Sequence, residues 1–108
     1  MSYVPKIQDI VQTKLNGSKQ KMPAVVLSIS GYSKITNLVV VAPIVKEANE
    51  SLKDYFIPIK SGSIEGFINP FQTFTLDLKR NDVKFTKLVL PDAFFFEIIR
   101  VQKMILNL

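Results

Sequence analysis

The residues equipped for chemistry fall in two stretches of the chain. Lys14, Lys19 and Lys21 surround the loop signal Asn16-Gly17-Ser18. Three ammonium groups around one loop suit contact with phosphates, and equally suit a solvated basic loop. Asp77 is the second point of interest. It alternates with Thr73 and Thr75 on the face opposite Phe74, Leu76 and Leu78, next to Lys79 and Arg80. A carboxylate there can serve acid–base work or pair with a neighbouring cation on a sheet surface. Glu47 and Glu50 lie in a polar stretch and read as a solvated face. Tyr3, Tyr32 and Tyr55 have rings able to stack on bases, but their spacing does not group them.

What is missing narrows the chemistry further. The 108-residue chain has no histidine and no cysteine. That excludes a Ser-His-Asp triad, a thiol nucleophile, and zinc or iron sites built on imidazole or thiolate. Any acid–base step must use carboxylates, Lys, Arg, Tyr or hydroxyls. The glycines at 17, 31, 62 and 66 are scattered, so there is no glycine-rich phosphate loop. Fourteen Lys and Arg against nine Asp and Glu leave a net charge of +5. Such a balance attracts polyanions, nucleic acid foremost. No metal and no cofactor are expected.

These side chains must be positioned by a mostly β scaffold. Ile7–Thr13 reads as a strand. Pro23–Ile29 and Leu38–Ile44 are continuous apolar runs, as in strands buried on both faces, and Ser30-Gly31-Tyr32-Ser33 breaks the chain between them. Pro43 lacks an N–H, which places that end at a bulge or edge. Val45–Asp54 reads as a loop with a helical turn. Tyr55–Ile59, with Pro58, reads as an edge strand closed by the turn Ser61-Gly62-Ser63. Gly66–Leu78 holds one or two strands, Lys79-Arg80-Asn81-Asp82 a charged hairpin-like connection, and Val83–Val89 another alternating strand. The period then changes. Phe94, Ile98, Val101, Ile105 and Leu108 form the stripe of an amphipathic helix, opposite Glu97, Arg100, Lys103 and Asn107. Pro91 and Asp92 suit its first turn. Phe95, Phe96 and Ile99 widen the apolar face, enough for a sheet and a partner chain or for deep burial alone.

Length and composition, 47% hydrophobic and 21% charged, suit one globular domain spanning residues 1–108. The order of elements suggests a small curled sheet or SH3-like barrel with a C-terminal α-helix. No apolar run approaches the ~20 residues that cross a bilayer, and no apolar signal segment follows Met1. A cytoplasmic protein without membrane contact is the expectation.

The motifs, in order, resemble the MazF/PemK (Kid-like) toxins of type II toxin–antitoxin modules. The resemblance covers nearly the whole chain. It is carried by Tyr3-Val4-Pro5 with Asp9-Ile10-Val11, by Gly17-Ser18-Lys19-Gln20, and by Met22-Pro23-Ala24-Val25-Val26-Leu27-Ser28. It continues through Leu38–Val45, through Gly66 to Asp77 with its Gln72-Thr73-Phe74-Thr75 core, and through Leu90-Pro91-Asp92 at the last helix.

The resemblance implies a CcdB/PemK-type curled β-barrel with a terminal helix. It also implies a homodimer, metal-independent cleavage of single-stranded RNA, and inhibition by an acidic antitoxin tail. A ribonuclease of this kind needs neither histidine nor cysteine. The resemblance also exposes departures. The family arginine that precedes the Pro-Ala-Val-Val-Leu-Ser run, implied to bind the scissile phosphate and serve acid–base chemistry, is Met22 here. The family loop glutamate is Lys19. The hydroxyl residue after Pro-Ile is Val45. The acidic residue before Gln72 is Phe71, and an arginine two positions earlier in some members is Asn69. Methionine neither donates a proton nor pairs with phosphate.

The candidate RNA contacts are Lys14, Lys19, Lys21, Gln72, Asp77, Lys79 and Arg80. Two readings follow. One is a ribonuclease with a relocated site built on Lys21, Lys19, Asp77 and Arg80. The other is a catalytically degenerate member that keeps the dimer and binds an antitoxin, nucleic acid or another protein. An unrelated SH3-like interaction module is a third.

Overall fold

The computed structural model describes residues 3–15 and 18–106. The chain runs β1 (Asp9–Lys14), β2 (Lys21–Val26), α1 (Ser30–Thr36), β3 (Leu38–Val45), a 3-10 turn (Glu50–Leu52), β4 (Ile57–Ser61), β5 (Ile64–Ile68), β6 (Phe74–Asp77), β7 (Lys84–Val89) and α2 (Asp92–Leu106). This is the curled, mainly β architecture with a C-terminal helix that the sequence suggests. The expected Asn16-Gly17 turn, and Asn107 and Leu108 of the expected helix stripes, lie outside the described residues.

All strands pair antiparallel in the order β4-β5-β3-β2-β1-β7, with β6 also on β3. The long strand β3 makes this possible. On one edge it pairs β2, from Ala24↔Pro43 to Val26↔Val41. Its other edge is shared: Leu38–Val41 pair β6, and Ile44–Val45 pair β5. Pro43 sits where that edge changes partner. Its carbonyl accepts the Asn69 N–H at 3.0 Å, so the side of the strand lacking an N–H faces the gap between β5 and β6. The missing donor therefore interrupts no ladder.

The apolar runs of β2 and β3 are continuous, and Ile10 and Val11 adjacent in β1, because both faces are buried. Ile10, Val25, Ala42 and Ile44 pack with Ile57, Ile68, Leu90, Phe95 and Ile98 on one side. Val11, Ala24, Val26, Val39, Val41 and Leu76 pack on the other, under Tyr3, Phe74 and Leu78. Each such side chain contributes roughly 1.5–3 kcal/mol on leaving water. β4 is an edge strand, and Pro58 is exposed on it. Gly62, at φ 58°, closes the β4–β5 turn in a conformation that favours glycine. Gly66 is required for a different reason: a Cβ there would stand 2.4 Å from the Val45 backbone oxygen, where β5 crosses β3.

Three expectations need correction. Ser30–Ser33 does not break the chain into a loop but opens the seven-residue helix α1. Local bonds hold it. The Ser33 hydroxyl donates to the Leu38 carbonyl at 2.7 Å, and Asn37, at φ 61°, donates its N–H to the Ser33 carbonyl at 2.8 Å. A helix this short carries no apolar period to read. Residues 79–82 do not make a hairpin, since β6 pairs β3 while β7 pairs β1. The turn instead carries the chain from the edge of β3 to that of β1. Finally, α2 buries Phe95, Ile98 and Val101, whereas Phe94 and Ile105 of the expected stripe are exposed. The helix is rolled so that Phe95 enters the core, and Gln102 Nε2 donates to the Pro70 carbonyl on the same side.

Candidate nucleic-acid interface

The turn after β6 is built on two side chains. The Asp77 carboxylate accepts the N–H groups of Lys79 at 3.0 Å and Arg80 at 2.9 Å. Those two bonds, Arg80's first, hold its pKa below the ordinary carboxylate value. Asn81, only 6% exposed, locks the turn onto the neighbouring strand. Its Oδ1 accepts the Asp77 N–H at 2.9 Å, and its Nδ2 donates to the Lys14 carbonyl at 2.8 Å. Its backbone carbonyl accepts from the Lys14 N–H at 2.9 Å and from the Thr13 hydroxyl at 2.8 Å.

That lock gathers charge. Lys14 pairs Lys21 across β1 and β2. Asp82 is held between Lys21 Nζ at 3.1 Å and Lys84 Nζ at 3.9 Å. The Lys21 bond is the main reason the Asp82 carboxyl is held below its usual range, with the charges of Lys21, Lys84 and Lys14 adding to it. The same contact raises the Lys21 ammonium. This end of the barrel thus carries Lys14, Lys21, Lys79, Arg80 and Lys84 against Asp77 and Asp82. Asp77 is already committed to backbone donors, so the outward field is positive.

The expected contacts divide into two groups. Lys14, Lys21, Asp77, Lys79 and Arg80 belong to this end, and Lys19 lies close by in sequence, within a turn in which Ser18 Oγ bonds both the carbonyl and the N–H of Gln20. Gln72 does not join them. It sits in the β5–β6 loop, where Asn69 Nδ2 approaches its Oε1 at 3.5 Å. Asp77 also differs from its expected role, because its carboxylate builds a turn instead of pairing a side-chain cation. Asn81 and Lys84 were not singled out from sequence. Asn81 stood in a charged turn, where asparagine is common, and only its contact with β1 distinguishes it.

The positions where the resemblance implies polar groups are otherwise occupied. Met22 is half-buried on β2 opposite Thr13. Its neighbour Lys21 projects from the other face of the strand. Val45 ends β3 opposite Phe67. Asn69 Oδ1 accepts the Phe71 N–H at 3.0 Å, and the Phe71 ring meets Tyr55 edge-on with centroids 5.7 Å apart and Phe56 at 6.3 Å. Phe71 therefore fills an aromatic group and leaves no acid at that point. Among the described residues no group of His, Cys, Asp and Glu is arranged to hold a metal ion. Among the same residues no helix is long and apolar enough to cross a membrane.

A sequence model of the family described as PemK-like, MazF-like toxin of type II toxin–antitoxin system matches residues 6–102. The chain belongs to this family. The PemK/MazF-like assignment agrees with the fold of solved structures. MazF from Deinococcus radiodurans superposes with a TM-score of 0.86 at 18% identity, covering 99% of this chain and 100% of that one. A MazE-MazF crystal structure from the same organism gives 0.86 at 19% identity, covering 98% of this chain and 99% of that one. An endoribonuclease in complex with its cognate antitoxin from a mycobacterial species gives 0.77 at 16% identity, covering 99% and 97%. No curated protein matches the sequence significantly. At these identities the PemK/MazF-like backbone is shared while the side chains are largely this chain's own.

Proposed function

We propose that this PemK/MazF-like protein is a homodimeric toxin-family member that binds single-stranded RNA through its Lys14–Lys21–Lys84 end, engages an acidic antitoxin, and cleaves RNA weakly or not at all. The observation that carries the reading is the pairing of a positive surface with a missing proton carrier. Lys14, Lys21 and Lys84 crowd one carboxylate, Asp82, so anions are attracted there. At the family arginine position stands Met22, and Asp77, the nearest alternative base by sequence reading, is tied to two N–H groups and lowered in pKa. A weakened base that faces its own turn is poorly matched to proton abstraction.

The dimer rests on α2. Phe96 is 66% exposed and Leu106 62%, with Met104 and Ile105 also exposed along the same helix. A PemK/MazF-like fold in solved toxins occurs with antitoxin chains. An acidic segment fits this chain's net charge of +5.

The test is direct. Purified protein is incubated in EDTA with a long unstructured RNA, and binding is followed separately across a salt series. Retained binding that falls steeply with salt, with cleavage far below that of an arginine-bearing member, supports the reading. Efficient cleavage leaving 2′,3′-cyclic phosphate ends would replace it with the active-ribonuclease reading, and absence of RNA binding at low salt would remove the RNA role.

A further inference from the structure

A second surface adjoins the basic end and shares Lys79 with it. A cavity of about 550 Å³ opens between the N-terminal segment, α1 and the turn after β6. Tyr3, Leu78 and Val83 supply apolar wall, while Lys34, Asn37 and Lys79 line it with polar groups. That volume falls within the range of small-ligand sites, and apolar walls with a few convergent polar groups are their usual composition.

Tyr3 is held rigidly there. Its hydroxyl donates to the buried Asp9 carboxylate at 2.5 Å, and its ring stacks on Phe85 with centroids 5.1 Å apart and planes 4° from parallel. Burial, then the Asp9 bond, raises its pKa, so the phenol stays protonated. With the hydroxyl committed and Phe85 behind the ring, Tyr3 offers the cavity an apolar aromatic surface. Lys34 and Lys79 make no ion pair among the described residues, so both ammonium groups are available to an anion. Asn37 is fixed in the left-handed region as the cap of α1, which sets where its amide starts.

An immobilised ring, two unpaired ammonium groups and one amide fit a single nucleotide. We infer that this cavity is an accessory nucleotide subsite, taking one base of a single-stranded RNA against Tyr3 and an adjoining phosphate between Lys34 and Lys79. Base–aromatic stacking tolerates any base, and the ammonium groups address the backbone. The inference rests on the RNA-binding reading and extends the path of the strand beyond the basic end.

The experiment is an amide-resolved NMR titration of the 15N-labelled full chain with a single-stranded RNA hexamer, 5′-UMP and inorganic phosphate. It is run on the wild type and on Lys34→Gln/Asn37→Gly, glycine being chosen because it accepts the left-handed conformation. The expected result is saturable shifts at residues 3–4 and 33–37, which lie outside the basic end, with hexamer and with 5′-UMP. Hexamer affinity should drop three- to tenfold in the double variant, with shifts around Lys14, Lys21 and Lys84 retained. Hexamer binding with shifts confined to the Lys14–Lys21–Lys84 end overturns the subsite and leaves the RNA reading intact. Inorganic phosphate reproducing the 5′-UMP shifts at equal concentration overturns the base-binding half. Absence of hexamer binding overturns both readings.

Discussion

Asn81→Ala removes side-chain bonds that brace the β6–β7 turn and help tie it to β1. Its side-chain hydrogen bonds to the Asp77 N–H at 2.9 Å and the Lys14 carbonyl at 2.8 Å disappear. Each is worth ~1 kcal/mol net, and a buried partner left unsatisfied adds about 1–3 kcal/mol. Lys14 and Asp77 are only half-buried, so water recovers part of that cost. The expected loss is about 2–4 kcal/mol, or a fall in Tm of about 10 °C or more for a chain of this size. Urea unfolding followed by circular dichroism, at one fixed protein concentration because the stability of the proposed dimer depends on it, measures this. Asn81→Asp gives an internal control. It keeps an acceptor for the Asp77 N–H and loses the donor to Lys14, so its loss should fall between wild type and alanine. RNA affinity should fall in both variants, since the turn carries Lys79 and Arg80. A loss below about 1 kcal/mol in Asn81→Ala would refute the reasoning, because the backbone bonds of Asn81 would then suffice to hold the turn.

Other consequences follow from the same structure. Gly66→Ala forces a Cβ to 2.4 Å from the Val45 oxygen, and the overpacking should cost roughly 1–3 kcal/mol in thermal or urea unfolding. Asp77 and Asp82 both have folded pKa values below the unfolded value of about 3.9, so the stability they supply is complete above that value and is lost as pH falls through the folded ones. The urea midpoint of the wild type should therefore converge on that of Asp77→Asn/Asp82→Asn below about pH 3.9, and a constant gap from pH 6 to pH 2.5 would contradict the assignment. Met22→Arg, alone or with Lys19→Glu, should raise RNA cleavage in EDTA above the wild-type level; no gain in either variant would mean that more than the missing arginine blocks the chemistry. Phe96→Ser/Ile105→Ser should convert the protein to a monomer in sedimentation at micromolar concentration without lowering its helix content.

The strands and α2 were legible in the sequence, because period two and period 3.6 are local properties that a strand or helix imposes on its own residues. Runs such as Ala24-Val25-Val26 and Val41-Ala42-Pro43-Ile44 announce burial on both faces before any partner is known. The departures at Lys19, Met22, Val45, Asn69 and Phe71 were equally legible once the resemblance was stated. Helix α1 was not, since seven residues held by Ser33 and Asn37 leave no period to detect. The rolling of α2, which buries Phe95 and exposes Phe94, depends on what faces it across space, with Gln102 bonded to Pro70 and Phe95 set in the core with Ile57 and Ile68.

The basic character of the chain, its lack of imidazole and thiol, and its strand-rich order were thus determined by the sequence alone. Which cations act together was decided only by the tertiary structure. Lys14 and Lys84 are seventy positions apart in the chain, and they act on one carboxylate, Asp82, because β7 lies beside β1 while Asn81 pins the preceding turn to Lys14. Charge sums are properties of composition. A field strong enough to direct an anion depends on distance, and distances between remote residues exist only after the chain has folded.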